Sequence, residues 1–171
     1  MKKNLIALIV LVLFITLTEV SYAAPTPSIK ADTPLPKEVN ILTPGPDVLP
    51  EVAAFFGTWV GTWEWDFYTD KVHVKRDSVI IVEKIEGNNI NMVFSWGNLR
   101  PYYRSSSVGW IRIAGIYQPA TGKVYIPLKE PIVAIPQTAT LWITPDGKMQ
   151  GYRNKRLDDA SDYKAVYTKQ Q

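Results

Sequence analysis

The chain has 171 residues, no cysteine, 46% hydrophobic residues and 12% aromatic ones, which is about one domain's worth of sequence. The missing cysteines exclude a disulfide framework, a thiolate nucleophile and a cysteine-based metal site, so the fold must be held by its own core. The formal net charge of +3, falling to +2 if Lys2, Lys3 and Glu19 leave with a cleaved leader, is too weak to point to nucleic acid or an acidic membrane surface.

Residues 1–23 read as a secretory signal peptide. Met1-Lys2-Lys3-Asn4 is a charged start, Leu5 to Leu17 is apolar and unbroken to Ile15, and Ser21-Tyr22-Ala23 places small residues where a signal peptidase reads. The apolar run is shorter than the ~20 residues a bilayer span needs, which argues against a retained anchor helix. The expected location is therefore secreted or periplasmic, with cleavage after Ala23 and no integral membrane span in the mature chain.

Residues 24–49 are punctuated by proline, and more than half of the 13 prolines fall between Pro25 and Pro50. Proline fixes φ and removes a donor, so the expectation is an extended, disordered linker. Docking of this arm onto an SH3-like partner is the alternative, resting on proline content alone. The domain proper is expected over 50–171. Pro50-Glu51 followed by alanines suggests a short helical turn, with Phe55 and Phe56 docking on the mouth or floor of the domain.

The stretch Gly57 to Phe67 alternates strictly. Trp59, Gly61, Trp63, Trp65 and Phe67 share one parity, and Val60, Thr62, Glu64 and Asp66 the other. Period 2 predicts a strand with indoles on one face and charges on the other. Further β-type segments lie at Val72–Ile85, Ile90–Trp96 and Val108–Tyr117, then Val124–Leu128, Thr138–Ile143, Met149–Lys155 and Tyr163–Thr168. Gly87-Asn88-Asn89, Pro119 to Gly122 and Pro145-Asp146-Gly147 are turn signals between them.

Eight strands on short turns, without βαβ spacing, predict an all-β fold: an eight-stranded antiparallel up-and-down barrel preceded by a short helical turn. A two-sheet sandwich is the alternative. Closure is favoured because it removes both edges, and because glycine-relieved aromatics on one face suit a strand bending around an enclosed interior.

Gly57-Thr58-Trp59, repeated as Gly61-Thr62-Trp63 at the head of such a meander, resembles the G-x-W signature of the calycin superfamily, which includes lipocalins, fatty-acid-binding proteins and avidin-like barrels. The resemblance implies a calycin-like barrel that binds a small apolar or amphipathic molecule inside. It also implies a basic residue on a late strand beside the signature Trp, for which Arg153, Arg156 and Lys164 are the candidates.

The enzymatic inventory is thin, and no enzyme is expected. His73 is the only histidine, set among charges, and reads as a solvent-exposed imidazole rather than a triad base or haem ligand. Ser105, Ser106 and Ser107 lack the Gly-x-Ser-x-Gly elbow of a nucleophile. Glu64 and Asp66 stand ~6.6 Å apart on one strand but share the outer parity. Asp158, Asp159 and Asp162 lack the EF-hand pattern and read as a polar turn. No metal or cofactor is expected.

The ligand-binding candidates are therefore the inward aromatic set. Trp59, Trp63, Trp65 and Phe67 come from the first strand, and Met92, Phe94 and Trp96 from the third. Trp110 joins them with less certain parity, as do Tyr117, Trp142 and Tyr152. The longest loop, Leu99 to Arg104, adds Tyr103 and Arg104, with Arg100, near the mouth, where a cation would meet an anionic head group. The alternative function is a structural or protein-interaction module whose barrel is filled by its own aromatics.

Overall fold

The computed structural model describes residues 32–67, 72–100, 108–128, 137–153 and 163–170, with the Phe67 side chain outside that set. After a short helix, α1 (Pro50–Ala53), come β1 (Gly57–Phe67), β2 (Val72–Glu86), β3 (Asn89–Arg100) and β4 (Gly109–Gln118). They are followed by β5 (Lys123–Leu128), β6 (Gln137–Ile143), β7 (Met149–Arg153) and β8 (Tyr163–Lys169). Each strand pairs antiparallel with the next, and β8 returns to β1, so the sheet is a closed barrel and not a sandwich.

The expected parity of β1 and β3 holds. Trp59, Trp63 and Trp65 are buried inside, as are Met92, Phe94 and Trp96. Glycines make room for them: a Cβ on Gly61 would meet the Tyr167 ring at 2.6 Å, and one on Gly109 would meet the Trp96 indole at 2.8 Å. The β2–β3 turn uses Gly87 at φ 54°, the backbone region that a two-residue hairpin demands.

Two register shifts interrupt the β2–β3 ladder, between Arg76 and Ser78 and between Val82 and Lys84. At the first, Gly97 and Asn98 of β3 oppose Asp77 alone, a bulge that resets parity so that Leu99 packs on the core. The third strand accordingly runs past the expected Trp96 to Arg100. Leu99 and Arg100 belong to β3 rather than to the loop after it, and Arg100 is ion-paired with Asp77.

One end of the barrel is plugged. Phe55, just after α1, is buried against Tyr117 with ring centroids 6.1 Å apart. Trp59 is 1% exposed and its indole N–H donates to the Phe55 carbonyl oxygen at 2.8 Å. The ammonium of Lys169 lies 5.4 Å from the centre of the same indole. Lys169 therefore stands where Arg153, Arg156 or Lys164 was expected. Lys164 is exposed on the outside, Arg153 points to the interior of the other end, and Arg156 lies outside the described residues.

The proline-rich segment, expected as a disordered linker, is a strap along the barrel wall over residues 32–49. It forms no strand or helix, and Leu35, Val39 and Ile41 pack on an outer apolar cluster of Val79, Ile81 and Val93. Polar contacts fix it: the Leu42 amide donates to the Glu83 carbonyl at 2.8 Å, and the Asn98 amide donates to Asp32 at 3.1 Å. Arg112 of β4 donates to the Glu38 carbonyl at 2.9 Å, and the Ser95 hydroxyl donates to the Pro34 carbonyl. The strap is held because Val79 to Val82 is apolar on both parities, so both faces of β2 need cover. The signal-peptide expectation falls on residues 1–23, outside those described.

The β4–β5 ladder is the shortest in the wall, joined only from Ile116↔Tyr125 to Gln118↔Lys123 among the described residues.

Candidate functional site

The end of the barrel opposite the plug holds a cavity of about 40 Å³. Its walls come from late residues of the odd strands and early residues of the even ones: Trp63 and Trp65 of β1, Arg76 of β2, Trp96 of β3, Arg153 of β7 and Tyr163 of β8. Ile113, Ile126, Leu128 and Leu141 close the opposite wall. Segments 68–71, 101–107, 129–136 and 154–162 connect strands at this end and lie outside the described residues.

The interior is thus filled towards the plug and leaves only this small space at the other end. Towards the plug, Trp59, Met92, Met149 and Tyr167 are almost completely buried. The Tyr167 hydroxyl lies 2.8 Å from Ser78 Oγ, and burial pushes its pKa up. Above this layer the aromatic rings pair without closing the space. Trp63 meets Tyr167 edge-on at 6.5 Å, Phe94 stacks on Trp96 at 6.0 Å, and Trp65 lies 4.9 Å from Tyr163.

The polar part of the cavity consists of two arginines and a tyrosine. The Arg153 guanidinium sits 3.7 Å from the centre of the Tyr163 ring, so guanidinium, phenol and the Trp65 indole form a column. Arg76 has the same inward parity as Val74, Ser78 and Ile80. Both Arg76 Nε and Arg153 Nε are buried without a hydrogen-bond partner among the described residues. Among those residues, too, no Asp or Glu lines the cavity. Desolvation lowers the pKa of Arg76, with the neighbouring Arg153 charge acting the same way; desolvation also lowers that of Arg153, opposed by Tyr163.

The candidates separate cleanly against this geometry. Trp63, Trp65, Phe94 and Trp96 line the cavity. Trp59 and Met92 point inward but belong to the filled half. Phe67, Tyr103 and Arg104 fall outside the described side chains. Trp110 is a correction: it is 40% exposed on the outer wall, with Arg112 5.7 Å from its ring centre. The reason is parity. Tyr117, buried on the same regular strand, is seven positions away, and residues an odd number apart point to opposite faces. Trp142 and Tyr152 are likewise outside, 5.9 Å apart with Lys123 over both rings.

Arg76 and Tyr163 are not among the sequence candidates, and Arg153 is expected there in a different role. The signal for all three is parity: Arg76 alternates in step with Val74 and Ile80, Arg153 with Met149 and Gly151, and Tyr163 with Ala165 and Tyr167.

On the outer rim, His73 is 2.8 Å from Asp66 and Lys75 is 2.7 Å from Glu64, and the Lys75 contact holds the Glu64 carboxyl below its ordinary pKa. Glu64 and Asp66 therefore face solvent and their cationic neighbours, away from the cavity. Among the described residues no group of three His, Asp or Glu is placed to hold a metal ion, and no helix is long and apolar enough to cross a membrane. Comparison of the chain with protein-family models, curated proteins and solved structures finds no match.

Proposed function

We propose that this chain is a non-enzymatic binding protein that takes a compact hydrophobic or amphipathic molecule into the open end of its barrel after export, in a secreted or periplasmic setting. The observation that carries the reading is the division of the interior. A barrel serving only as scaffold has no use for an aromatic-walled space bounded by Trp63, Trp65, Phe94 and Trp96 above a filled layer. The leader-like residues 1–23 and the calycin resemblance of Gly57–Trp63 support the same reading.

Size narrows the ligand. A buried water needs ~10–15 Å³ of such space, and a dry cavity of ~150 Å³ holds benzene. At about 40 Å³ the cavity encloses only a few heavy atoms, so the ligand is short or leaves most of its body at the mouth.

Three cavity tryptophans report on occupancy. Titration with a series of n-alkanols from butanol to dodecanol is expected to shift or quench tryptophan emission saturably, with affinity levelling off beyond a short chain. Absence of any saturable change across the series overturns the proposal. Export is checked separately, by sequencing the N-terminus of protein recovered from the medium or periplasm, which is expected to begin at Ala24.

The alternative, a self-filled interaction module, draws on the packing of the plugged half and on the outward aromatic pair Trp142 and Tyr152. It predicts no solute binding, and loss of a protein partner on substitution of Trp142.

A further inference from the structure

We propose that the molecule taken into the cavity carries an oxyanion head group, a carboxylate, phosphate or sulfonate, bound jointly by Arg76 and Arg153. This rests on the proposed binding function and names the chemical class of its ligand.

Two half-buried guanidiniums with buried Nε atoms in one apolar cavity are costly. Cations withdrawn from water into an apolar wall are strongly disfavoured unless paired or fully hydrogen-bonded. Arg76 and Arg153 line one small space, repel each other, and face no carboxylate there among the described residues. Their Nε–H groups donate to nothing among those residues. The other arginines among the described residues are ion-paired: Arg100 with Asp77, and Arg112 with Glu83 at 2.9 Å. Among the described arginines only the cavity pair has no carboxylate partner, and it is found where the interior is not filled.

The donor chemistry fits an anion with two or more oxygens. Each guanidinium offers parallel N–H bonds in a planar fork that matches carboxylate or phosphate geometry. Arg153 is already oriented by its stack on Tyr163, so little freedom is lost when it binds. Register brings the two together from different strands. Arg76 pairs with Trp63 of β1, Arg153 pairs with Tyr163 of β8, and β1 pairs with β8, so both cations flank the same aromatic strip. The apolar part of the ligand then rests against Trp63, Trp65 and Trp96, and its head group supplies a counter-charge that no described residue supplies there.

The test uses a matched set: hexanoate, hexyl phosphate, hexan-1-ol and hexylamine, titrated against the full mature protein by tryptophan emission and by thermal shift. At least one of the two anions is expected to bind tenfold or more tightly than the alcohol, and hexylamine not at all. R76Q and R153Q are each expected to weaken the preferred anion by tenfold or more while changing hexan-1-ol by less than threefold, with R112Q on the outer wall as the unaffected control. Preference for hexyl phosphate assigns a tetrahedral head group, and preference for hexanoate a planar one. Equal affinity for hexan-1-ol and both anions overturns the inference and leaves the proposed function standing. Anion binding undiminished in both variants overturns it as well, and silence from all four compounds removes both. The wild-type comparison decides the matter even if a variant fails to fold.

Discussion

Individual side chains separate the filled layer of the barrel from the small cavity above it. Trp59, packed on all sides and hydrogen-bonded to the Phe55 carbonyl, is expected to cost about 3–5 kcal/mol when replaced by alanine. Trp110→Ala, on the outer wall beside Arg112, should cost no more than about 1 kcal/mol and leave ligand binding unchanged. Denaturant unfolding of the two variants makes the comparison, and a large loss for Trp110 would count against its placement. Arg76→Met has the opposite sign. Removing a half-buried cation that faces no carboxylate among the described residues should raise the stability of the unliganded protein by about 1 kcal/mol, while abolishing stabilisation by an anionic ligand. A residue whose removal strengthens the fold and weakens binding is one kept for binding.

Tyr167 gives the pH dependence. Its folded pKa lies above its ordinary value of 10.0 because the ring is buried. The unfolded chain therefore gives up this proton first, and the folded state holds more protons at alkaline pH. The stabilisation is full below about pH 10 and is lost as pH rises further. Tyr167→Phe leaves Ser78 Oγ without its partner, so it should cost about 1–3 kcal/mol at neutral pH. Above pH 10 that deficit should narrow by up to ~1.4 kcal/mol per pH unit, measured by urea unfolding at stepped pH. A constant deficit would remove Tyr167 as the source.

At the scale of elements, strap and bulge depend on each other. A Cβ on Gly97 would meet Thr33 Oγ1 at 2.9 Å and Asp32 Oδ1 at 3.1 Å. Gly97→Val should therefore lift residues 32–33 from the wall without disturbing the interior. A loss of about 1–3 kcal/mol and faster hydrogen exchange at the Asn98 amide are expected. Unchanged exchange would show that the strap accommodates the side chain.

The same elements show how much is legible in the sequence. Strand order, the hairpin glycine and the parity of β1 and β3 are readable because period 2 and turn chemistry are local. The bulges at Gly97–Asn98 and near Val82 are not, since their positions depend on how two strands share length across a ladder. The strap's prolines specify extended backbone, but they say nothing of its docking. The clue to docking lies elsewhere, in Val79 to Val82, apolar on both parities, with Leu35, Val39 and Ile41 as cover. Arg76 escapes a reading that equates charge with surface, although its parity is that of the core.

At the scale of the whole molecule, the barrel carries no disulfide and is held by its closed ladder and its packing: a plug at one end, a strap over one wall and a filled lower layer. Among the described residues, the cavity end is the part the core does not complete. Most of the interior thus serves stability, and the minor part left over is what the proposed binding function would use.

The short seam between β4 and β5 bears on how fast that ligand could come and go. Strands part most readily where the fewest hydrogen bonds join them, and this ladder has three residue pairs among the described residues. Ile113 of β4 and Ile126 of β5 both line the cavity, so parting the seam leads straight to it. Amides of this ladder should exchange faster than those of the long β1–β2 ladder. If they do, the residence time of a bound molecule is governed by a side wall opening rather than by the mouth, and tightening the mouth will leave the off-rate unchanged.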